Sequence, residues 1–156
     1  MEYLNKLKKY LEENKAEYKL LNMDKSVATS TEAAKQMGER AEDIVKSVVF
    51  YKQDKVIAAI VRKSDRVDKS KIAKALNLTG ISLCSPEETL EKTGYPAGGV
   101  PPLGFKATFL MDEKAAEKEE VIAGGGNDRT LIKIKTQELL RLNRARILDL
   151  RKEDGH

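Results

Sequence analysis

A lysine near the start of an apolar segment is the first residue of this sequence that could do chemistry. Lys46 lies within Ile44–Phe50, and in a strand it would share a face with Val48 and Phe50. If that face is buried, the ammonium group needs a cleft, a carboxylate or carbonyl oxygens, because an isolated buried charge is costly. The alternative is a lysine at a strand end whose stem covers apolar surface while its charge stays in water.

A second candidate is the segment Gly94–Gly104, called the Gly/Pro loop below, which contains four of the ten glycines and three of the four prolines. Proline lacks the N–H donor and glycine loses the most backbone entropy, so this segment is neither helix nor inner strand. The turn Gly98–Pro101 could aim consecutive N–H groups at an anion or a carbonyl oxygen. The loop is therefore a candidate binding element, with a stiff connector as the alternative.

A third candidate is Gly124–Gly126, the triple glycine, which follows a predicted strand. Three glycines there indicate a bulge or a close backbone approach, with a plain turn as the alternative. The spacing is not that of a G-x-G-x-x-G phosphate site, and no G-K-[ST] follows.

The rarest residues exclude several kinds of chemistry. The only histidine is His156, the last residue, and the only cysteine is Cys84. Histidine-based triads, thiolate–imidazole pairs and transition-metal clusters are therefore excluded, and no metal or organic cofactor is implied. Cys84 lies in an apolar segment, which predicts a buried structural thiol. If the protein is an enzyme, its chemistry uses lysine, carboxylates, hydroxyls, backbone amides or the substrate's own groups.

The bulk properties predict one domain over residues 1–156, with a mild preference for polyanions. The net charge is +4 and the isoelectric point is about 9.0. The basic residues of the segment 62–74 suit tRNA or another polyanion. The alternative is a solvated face, because Asp65 and Asp68 interrupt the cluster. A single cysteine fits a reducing compartment, and no apolar segment is long enough for export or membrane insertion. We therefore expect a cytoplasmic protein that does not contact a membrane. We expect no binding to DNA.

The elements that must position these candidates alternate between short helices and short strands. We expect helices over 3–14, 29–38 and 137–142, one that Asp68 caps and whose apolar face includes Ile72, Ala73 and Leu76, and one that Ser85-Pro86-Glu87-Glu88 begins. We expect strands over 18–21, 46–52, 55–61, 81–84, 107–111, 119–123, 130–135 and 145–150. Two-residue hairpin turns, such as Gln53-Asp54, favour antiparallel neighbours. The predicted fold is a compact α+β domain with a mixed or antiparallel, barrel-like sheet and short helices packed around it.

The order of the motifs resembles one family. Thr29-x-x-Glu-Ala-Ala, Lys46-Ser-Val-Val-Phe, the Gly/Pro loop and the triple glycine follow one another as in the YbaK/ProX-type aminoacyl-tRNA deacylases. The same fold is inserted as an editing domain in bacterial prolyl-tRNA synthetases. The resemblance spans nearly the whole chain.

The resemblance implies hydrolysis, in trans, of the ester between a wrongly attached amino acid and the 3′ end of tRNA. Lys46 then corresponds to the required lysine, which engages the substrate's backbone or carbonyl and forms no Schiff base. The implied substrate-binding residues are Thr29, Gly98, Gly99, Val100, Pro101, Pro102, Gly125 and Gly126. Such an activated ester needs positioning and a stabilised oxyanion rather than a strong nucleophile.

Substrate and partners follow from the same resemblance. It favours tRNAPro carrying cysteine or another small amino acid, with a prolyl-tRNA synthetase as a further partner that is left open. The alanine-editing synthetase domains have a histidine after the glycine motif, whereas this chain has none in Asn127–Ile132. The attacking group is left open between water, a ribose hydroxyl and a substrate thiol. The other functions considered are a catalytically silent module that binds aminoacyl-tRNA or a synthetase, and a hydrolase of small amino-acid esters.

Overall fold

The computed structural model describes residues 2–23, 26, 35 and 42–153. The described helices are α1 (Glu2–Glu13), α2 (Lys69–Leu76), α3 (Pro86–Thr93), α4 (Glu113–Ala116) and α5 (Thr136–Asn143). The described strands are β1 (Lys19–Asn22), β2 (Val45–Lys52), β3 (Lys55–Arg62), β4 (Ser82–Leu83), β5 (Thr108–Asp112), β6 (Glu120–Gly124), β7 (Thr130–Lys135) and β8 (Arg146–Leu148). None of the described helices is long and apolar enough to cross a bilayer.

The strands form two sheets. An antiparallel sheet has the order β1-β7-β6, and a mixed sheet has the order β4-β2-β3-β5-β8, in which β3–β5 and β5–β8 are parallel. The α+β class and the mixed sheet are confirmed. The barrel-like closure is not formed: among the described residues an isolated bridge, Ile44 to Ile122, joins β2 to the antiparallel sheet, and one bridge is too short to close a ladder.

The β2–β3 hairpin determines which side chains share a face. The predicted turn at Gln53-Asp54 pairs Lys46 with Val61 and Val48 with Ala59. One face of the hairpin therefore carries the even-numbered residues of β2, including Lys46, and the opposite face carries Val45, Ser47 and Val49. Lys46 does share its face with Val48 and Phe50, as the alternation predicts.

Helix starts follow the local capping signals. The Asp68 carboxylate accepts a hydrogen bond from the Ser70 amide at 2.9 Å and begins α2. Ser85 and Glu88 form a complete capping box at the start of α3, where Pro86 is the first helical residue. Helix α4 was not predicted, and the strands predicted over 81–84 and 145–150 are shorter than expected. Of the helix predicted over 29–38, only Lys35 is among the described residues, and it is helical.

The two faces of the β2–β3 hairpin border two parts of the core. The main core lies between the sheets and helices α1 and α5, and includes Leu7, Leu11, Val49, Ile60, Met111, Ile132 and Leu139. The smaller core lies under α2 and includes Phe50, Ile57, Val61, Ile72, Leu110 and Leu150. The apolar part of the lysine-bearing face is thus covered by α2.

Asp112 is a fully buried carboxylate that holds the C-terminal segment against β5. It accepts hydrogen bonds from the Leu150 amide at 2.8 Å and the Lys114 amide at 3.0 Å, and forms an ion pair with Arg151 at 2.9 Å. One carboxylate therefore caps α4 and fixes the chain after β8.

We expect Asp112→Ala to lower the free energy of unfolding by about 3 kcal/mol, because it leaves a guanidinium and two amides without their buried acceptor. Urea denaturation measures this loss. Asp149→Ala is the matched control, since Asp149 also pairs with Arg151, at 3.7 Å, but its side chain is 45% exposed. Equal losses in the two variants would contradict the role given to Asp112.

Candidate functional site

A cavity of about 180 Å3 lies where the open end of the hairpin meets the Gly/Pro loop and the antiparallel sheet. Its wall includes Lys46, Ser47, Lys63, Gly98, Val100 and Gly124. The hairpin supplies cationic and hydroxyl groups, whereas the loop and β6 supply backbone. The described residues contain no group of three or more His, Cys, Asp or Glu side chains that could hold a metal ion.

Lys46 projects into this cavity from a half-buried position in β2. Burial lowers the pKa of its ammonium group, the Asp65 carboxylate opposes that shift, and the positive charge of Arg66 adds to it. Within the described part of the chain, no carboxylate lies within salt-bridge distance of Lys46. Asp65 instead pairs with Arg62 at 2.7 Å. The ammonium charge of Lys46 therefore faces the cavity without a fixed counterion among these residues.

The Gly/Pro loop approaches Lys46 through a tight turn. The Gly99 amide donates to the Pro96 carbonyl at 3.0 Å, and Gly98 has a φ of +89°, a conformation that favours glycine. Gly99 therefore uses its N–H group within the turn itself. The Gly98 and Val100 amides have no acceptor among the described residues, and both residues line the cavity.

The carbonyl groups of the two prolines after the turn accept hydrogen bonds from side chains of neighbouring elements. The Ser47 hydroxyl donates to the Pro101 carbonyl at 3.3 Å, and the Asn143 side-chain amide donates to the Pro102 carbonyl at 3.0 Å. Both prolines are buried. The loop is thus fastened to β2 next to Lys46 and to the end of α5.

The triple glycine packs directly against the Gly/Pro loop. A Cβ atom on Gly124 would lie 2.5 Å from the Val100 carbonyl oxygen, and one on Gly99 would lie 2.7 Å from the backbone of Asn127. The Gly126 amide donates to the Gly99 carbonyl at 2.9 Å. Close backbone approach, one of the two predicted reasons for three glycines here, is therefore what the structure contains.

The structure brings some of the predicted site residues together around the cavity. Lys46, Gly98 and Val100 line it, and Gly99, Pro101 and Pro102 lie in the same loop. Gly125 and Gly126 are buried against Thr130 and Tyr3 and are not among the described residues that line the cavity. Thr29 lies outside the described residues. The substrate-binding roles of these residues stay predictions.

Six residues of the cavity wall were not among the predicted site residues, although Gly124 belongs to the triple glycine: Ile44, Val45, Ser47, Lys63, Gly124 and Leu131. Lys63 could have been found from the hairpin: a turn at Gln53-Asp54 pairs residue 46 with 61, which puts residue 63 on the same face. Ser47 belongs to the motif around Lys46, but nothing in its type marks it.

Cys84 behaves as the predicted structural thiol. It is 8% exposed and packs in the main core, and its amide donates to the Val49 carbonyl at 2.9 Å. Burial, and then the charge of Glu88, raise the pKa of its thiol. A thiol held in this form is a poor nucleophile.

The cavity and the fold define a small α+β domain with a cationic, backbone-lined site. Residues 24–142 match the family of aminoacyl-tRNA editing domains, and the chain belongs to this family.

The relatives of this chain include complete synthetases. It is 27% identical over 99 residues to the proline–tRNA ligase of Thermotoga neapolitana, covering 64% of this chain and 17% of that protein. It is 26% identical over 126 residues to the proline–tRNA ligase of Caldicellulosiruptor bescii, covering 81% of this chain and 22% of the ligase. The chain thus spans about a fifth of the length of these curated relatives.

Solved structures extend the likeness over the whole fold. A candidate trans-editing enzyme for prolyl tRNA synthetase superposes with a TM-score of 0.87 at 30% identity, covering 97% of this chain and 98% of that one. A hypothetical protein superposes with a TM-score of 0.85 at 25% identity, covering 94% and 99%. Both are similar to this chain along nearly their full lengths.

The close contact between Gly124 and Val100 predicts that an added methyl group destabilises the protein. We expect Gly124→Ala to lower the free energy of unfolding by about 1–3 kcal/mol and to shift the Val100 amide resonance, because its Cβ would press on a backbone carbonyl. Urea denaturation and amide NMR spectra measure the two effects. Gly80→Ala is the control, since a Cβ there meets nothing within 4 Å, although its φ of +68° costs some strain. An unmoved Val100 resonance in Gly124→Ala would contradict the contact.

The position of Lys46 predicts an altered titration. Its lowered pKa means that the ammonium group loses its proton at lower pH than an ordinary lysine side chain, while remaining mostly protonated at neutral pH. Lysine side-chain NMR over a pH series measures the midpoint. A Lys46 midpoint at the ordinary value of lysine, or one below neutrality, would show that the group is not held as described.

Proposed function

We propose that this chain is an aminoacyl-tRNA deacylase, which hydrolyses the ester that joins a wrongly attached amino acid to the 3′ end of a tRNA. The observation that carries the proposal is the meeting of the Lys46 ammonium group with the Gly98 and Val100 backbone at one cavity. Membership of the editing-domain family and the likeness to a candidate trans-editing enzyme support it.

The cavity suits the chemistry of an activated ester. As the ester carbonyl is attacked, negative charge develops on its oxygen, and fixed donors at that position lower the barrier. The Lys46 ammonium group and the amides of Gly98 and Val100 are donors that residues of the cavity wall supply for this role. A lysine that keeps its proton stabilises charge and does not attack carbon, which agrees with an electrostatic role for Lys46.

The reaction balances without a group from the protein entering a covalent bond. An oxygen of water bonds to the carbonyl carbon, the bond from that carbon to the ribose oxygen breaks, and the ribose oxygen takes a proton. The products are a free amino acid and a tRNA with its terminal hydroxyl restored. If the thiol of a cysteinyl substrate attacks first, its sulfur bonds to the carbonyl carbon, the ribose oxygen leaves with the thiol proton, and water then opens the resulting thiolactone. If a neighbouring ribose hydroxyl attacks first, the ester moves to that oxygen, and water must still hydrolyse it to release the amino acid.

The size of the cavity supports a small amino acid. Its volume of about 180 Å3 is below the roughly 300–1,000 Å3 typical of sites for drug-sized ligands. The relatives among proline–tRNA ligases support tRNAPro as the carrier and a prolyl-tRNA synthetase as a partner. We therefore propose tRNAPro carrying cysteine or another small amino acid as the substrate, acted on in trans.

A panel of mischarged tRNAs tests this proposal. tRNAPro charged with Cys, Ala, Ser, Thr or Pro is incubated with wild type, Lys46→Ala and Lys55→Ala, and release of the amino acid is followed. We expect selective release of one wrong amino acid, a loss of about 100-fold in Lys46→Ala, and an unchanged rate in Lys55→Ala. Lys55 is the matched control because it is an exposed lysine on the same face of the same hairpin, at its other end.

Two results would overturn the proposal in different ways. Release that is as fast in Lys46→Ala as in wild type would remove Lys46 from the mechanism. Saturable binding of tRNA 3′ ends without release of any amino acid would identify a binding module instead of an enzyme.

A further inference from the structure

The cavity contains a second lysine that the proposed reaction does not use. The Lys63 amide donates to the Ile44 carbonyl at 2.8 Å, which continues the β2–β3 pairing one residue beyond β3. Because Lys46 pairs with Val61, Lys46 and Lys63 are diagonal neighbours on one face of the hairpin. Diagonal neighbours of this kind are roughly 7–8 Å apart, and both side chains line the cavity.

The two ammonium groups share one electrostatic environment. Burial lowers the pKa of Lys63, and the positive charge of Lys46 lowers it further. Two neighbouring cations in a half-buried site repel each other, and an anion bound beside them relieves that repulsion. Because two cationic side chains line one cavity, that cavity favours a ligand that has negative charge as well as an ester.

The 3′ end of an aminoacyl-tRNA has these two features on either side of one sugar. The ester is attached to the ribose of the terminal adenosine, and the nearest fixed negative charge is the phosphate on the 5′ side of the same ribose. A ligand whose ester is at Lys46 therefore presents its phosphate one sugar ring away. An ester and a phosphate one sugar ring apart match the positions of Lys46 and Lys63, which lie on paired strands rather than next to each other along one strand.

We propose that Lys63 binds the phosphate on the 5′ side of the terminal adenosine, while Lys46 serves the ester. The inference rests on the proposed function, because it takes the 3′ end of an aminoacyl-tRNA as the ligand. It assigns Lys63 to substrate binding and leaves the chemical step to Lys46 and the loop amides.

Paired substrates with and without that phosphate test the assignment. The aminoacyl group that wild type removes fastest is placed on the trinucleotide CpCpA, which has the phosphate, and on adenosine alone, which lacks it. Wild type, Lys63→Gln, Lys63→Arg and Lys55→Gln are compared by their KM and kcat on both esters. Lys55→Gln removes an equal charge from the same sheet face at its far end.

We expect Lys63→Gln to raise KM for the CpCpA ester about tenfold, the scale of one charge-assisted hydrogen bond to phosphate, with kcat unchanged. Its kcat/KM on the adenosine ester stays within about twofold of wild type, and the binding of CpCpA becomes less dependent on salt, because one screened charge–charge contact is lost. Lys63→Arg keeps most of the affinity, and Lys55→Gln behaves as wild type. An equal loss on both esters, or no loss on either, would overturn the assignment.

A binding measurement separates this inference from the proposed reaction. The CpCpA analogue in which an amide replaces the ester is not hydrolysed, so its Kd is defined whether or not the protein is an enzyme. We expect Lys63→Gln to weaken that Kd about tenfold as well. An unchanged Kd would refute the role of Lys63, whereas a weakened Kd with no hydrolysis of any ester would refute only the proposed function.

Discussion

The site depends on one close contact, in which the backbone of the Gly/Pro loop lies against the backbone of the triple glycine. A methyl group on Gly124 would come within 2.5 Å of the Val100 carbonyl oxygen, so a larger residue cannot be accommodated without moving the loop. The contact also brings Gly98 and Val100 into the wall of the cavity that contains Lys46. Glycine serves here by lacking a side chain, more than by its range of backbone angles.

The remaining structure can be understood as support for this contact. The Ser47 hydroxyl and the Asn143 amide hold the two carbonyls that follow the turn, from β2 and from α5. Helix α2 covers the apolar part of the lysine-bearing face. Buried Asp112 fixes the C-terminal segment next to the same small core. Each of these interactions holds an element that borders the cavity or that packs on the lysine-bearing face of the β2–β3 hairpin.

Features with a local cause could be predicted from the sequence. Lysine in an apolar strand and a loop rich in glycine and proline are both visible within a dozen residues, and these short patterns are enough to mark Lys46 and the loop as candidates. Capping residues such as Asp68 and Ser85 predicted helix starts for the same reason. In each case the responsible interaction joins residues that are close together in the chain.

Features with a non-local cause could not be predicted in the same way. Three adjacent glycines look alike in a sequence, and Gly124 borders the cavity because β6 ends opposite Val100, which is distant in the chain. The expected barrel-like sheet is two sheets, since the alternation within a strand does not specify which strand lies beside it. Lys63 is an intermediate case: the hairpin turn determines its face, but the basic residues that surround it in the sequence suggest an exposed surface instead.

The isolated bridge between Ile44 and Ile122 means that the cavity lies at a joint between two sheets rather than within one. Lys46 and Ser47 belong to the mixed sheet, whereas Gly124 and Leu131 belong to the antiparallel one. A ligand in the cavity therefore contacts both halves of the joint, and its binding free energy adds to the cohesion between them. Ligand binding and the packing of the two sheets against each other are thus thermodynamically linked, so that a bound ligand stabilises the site in which it lies.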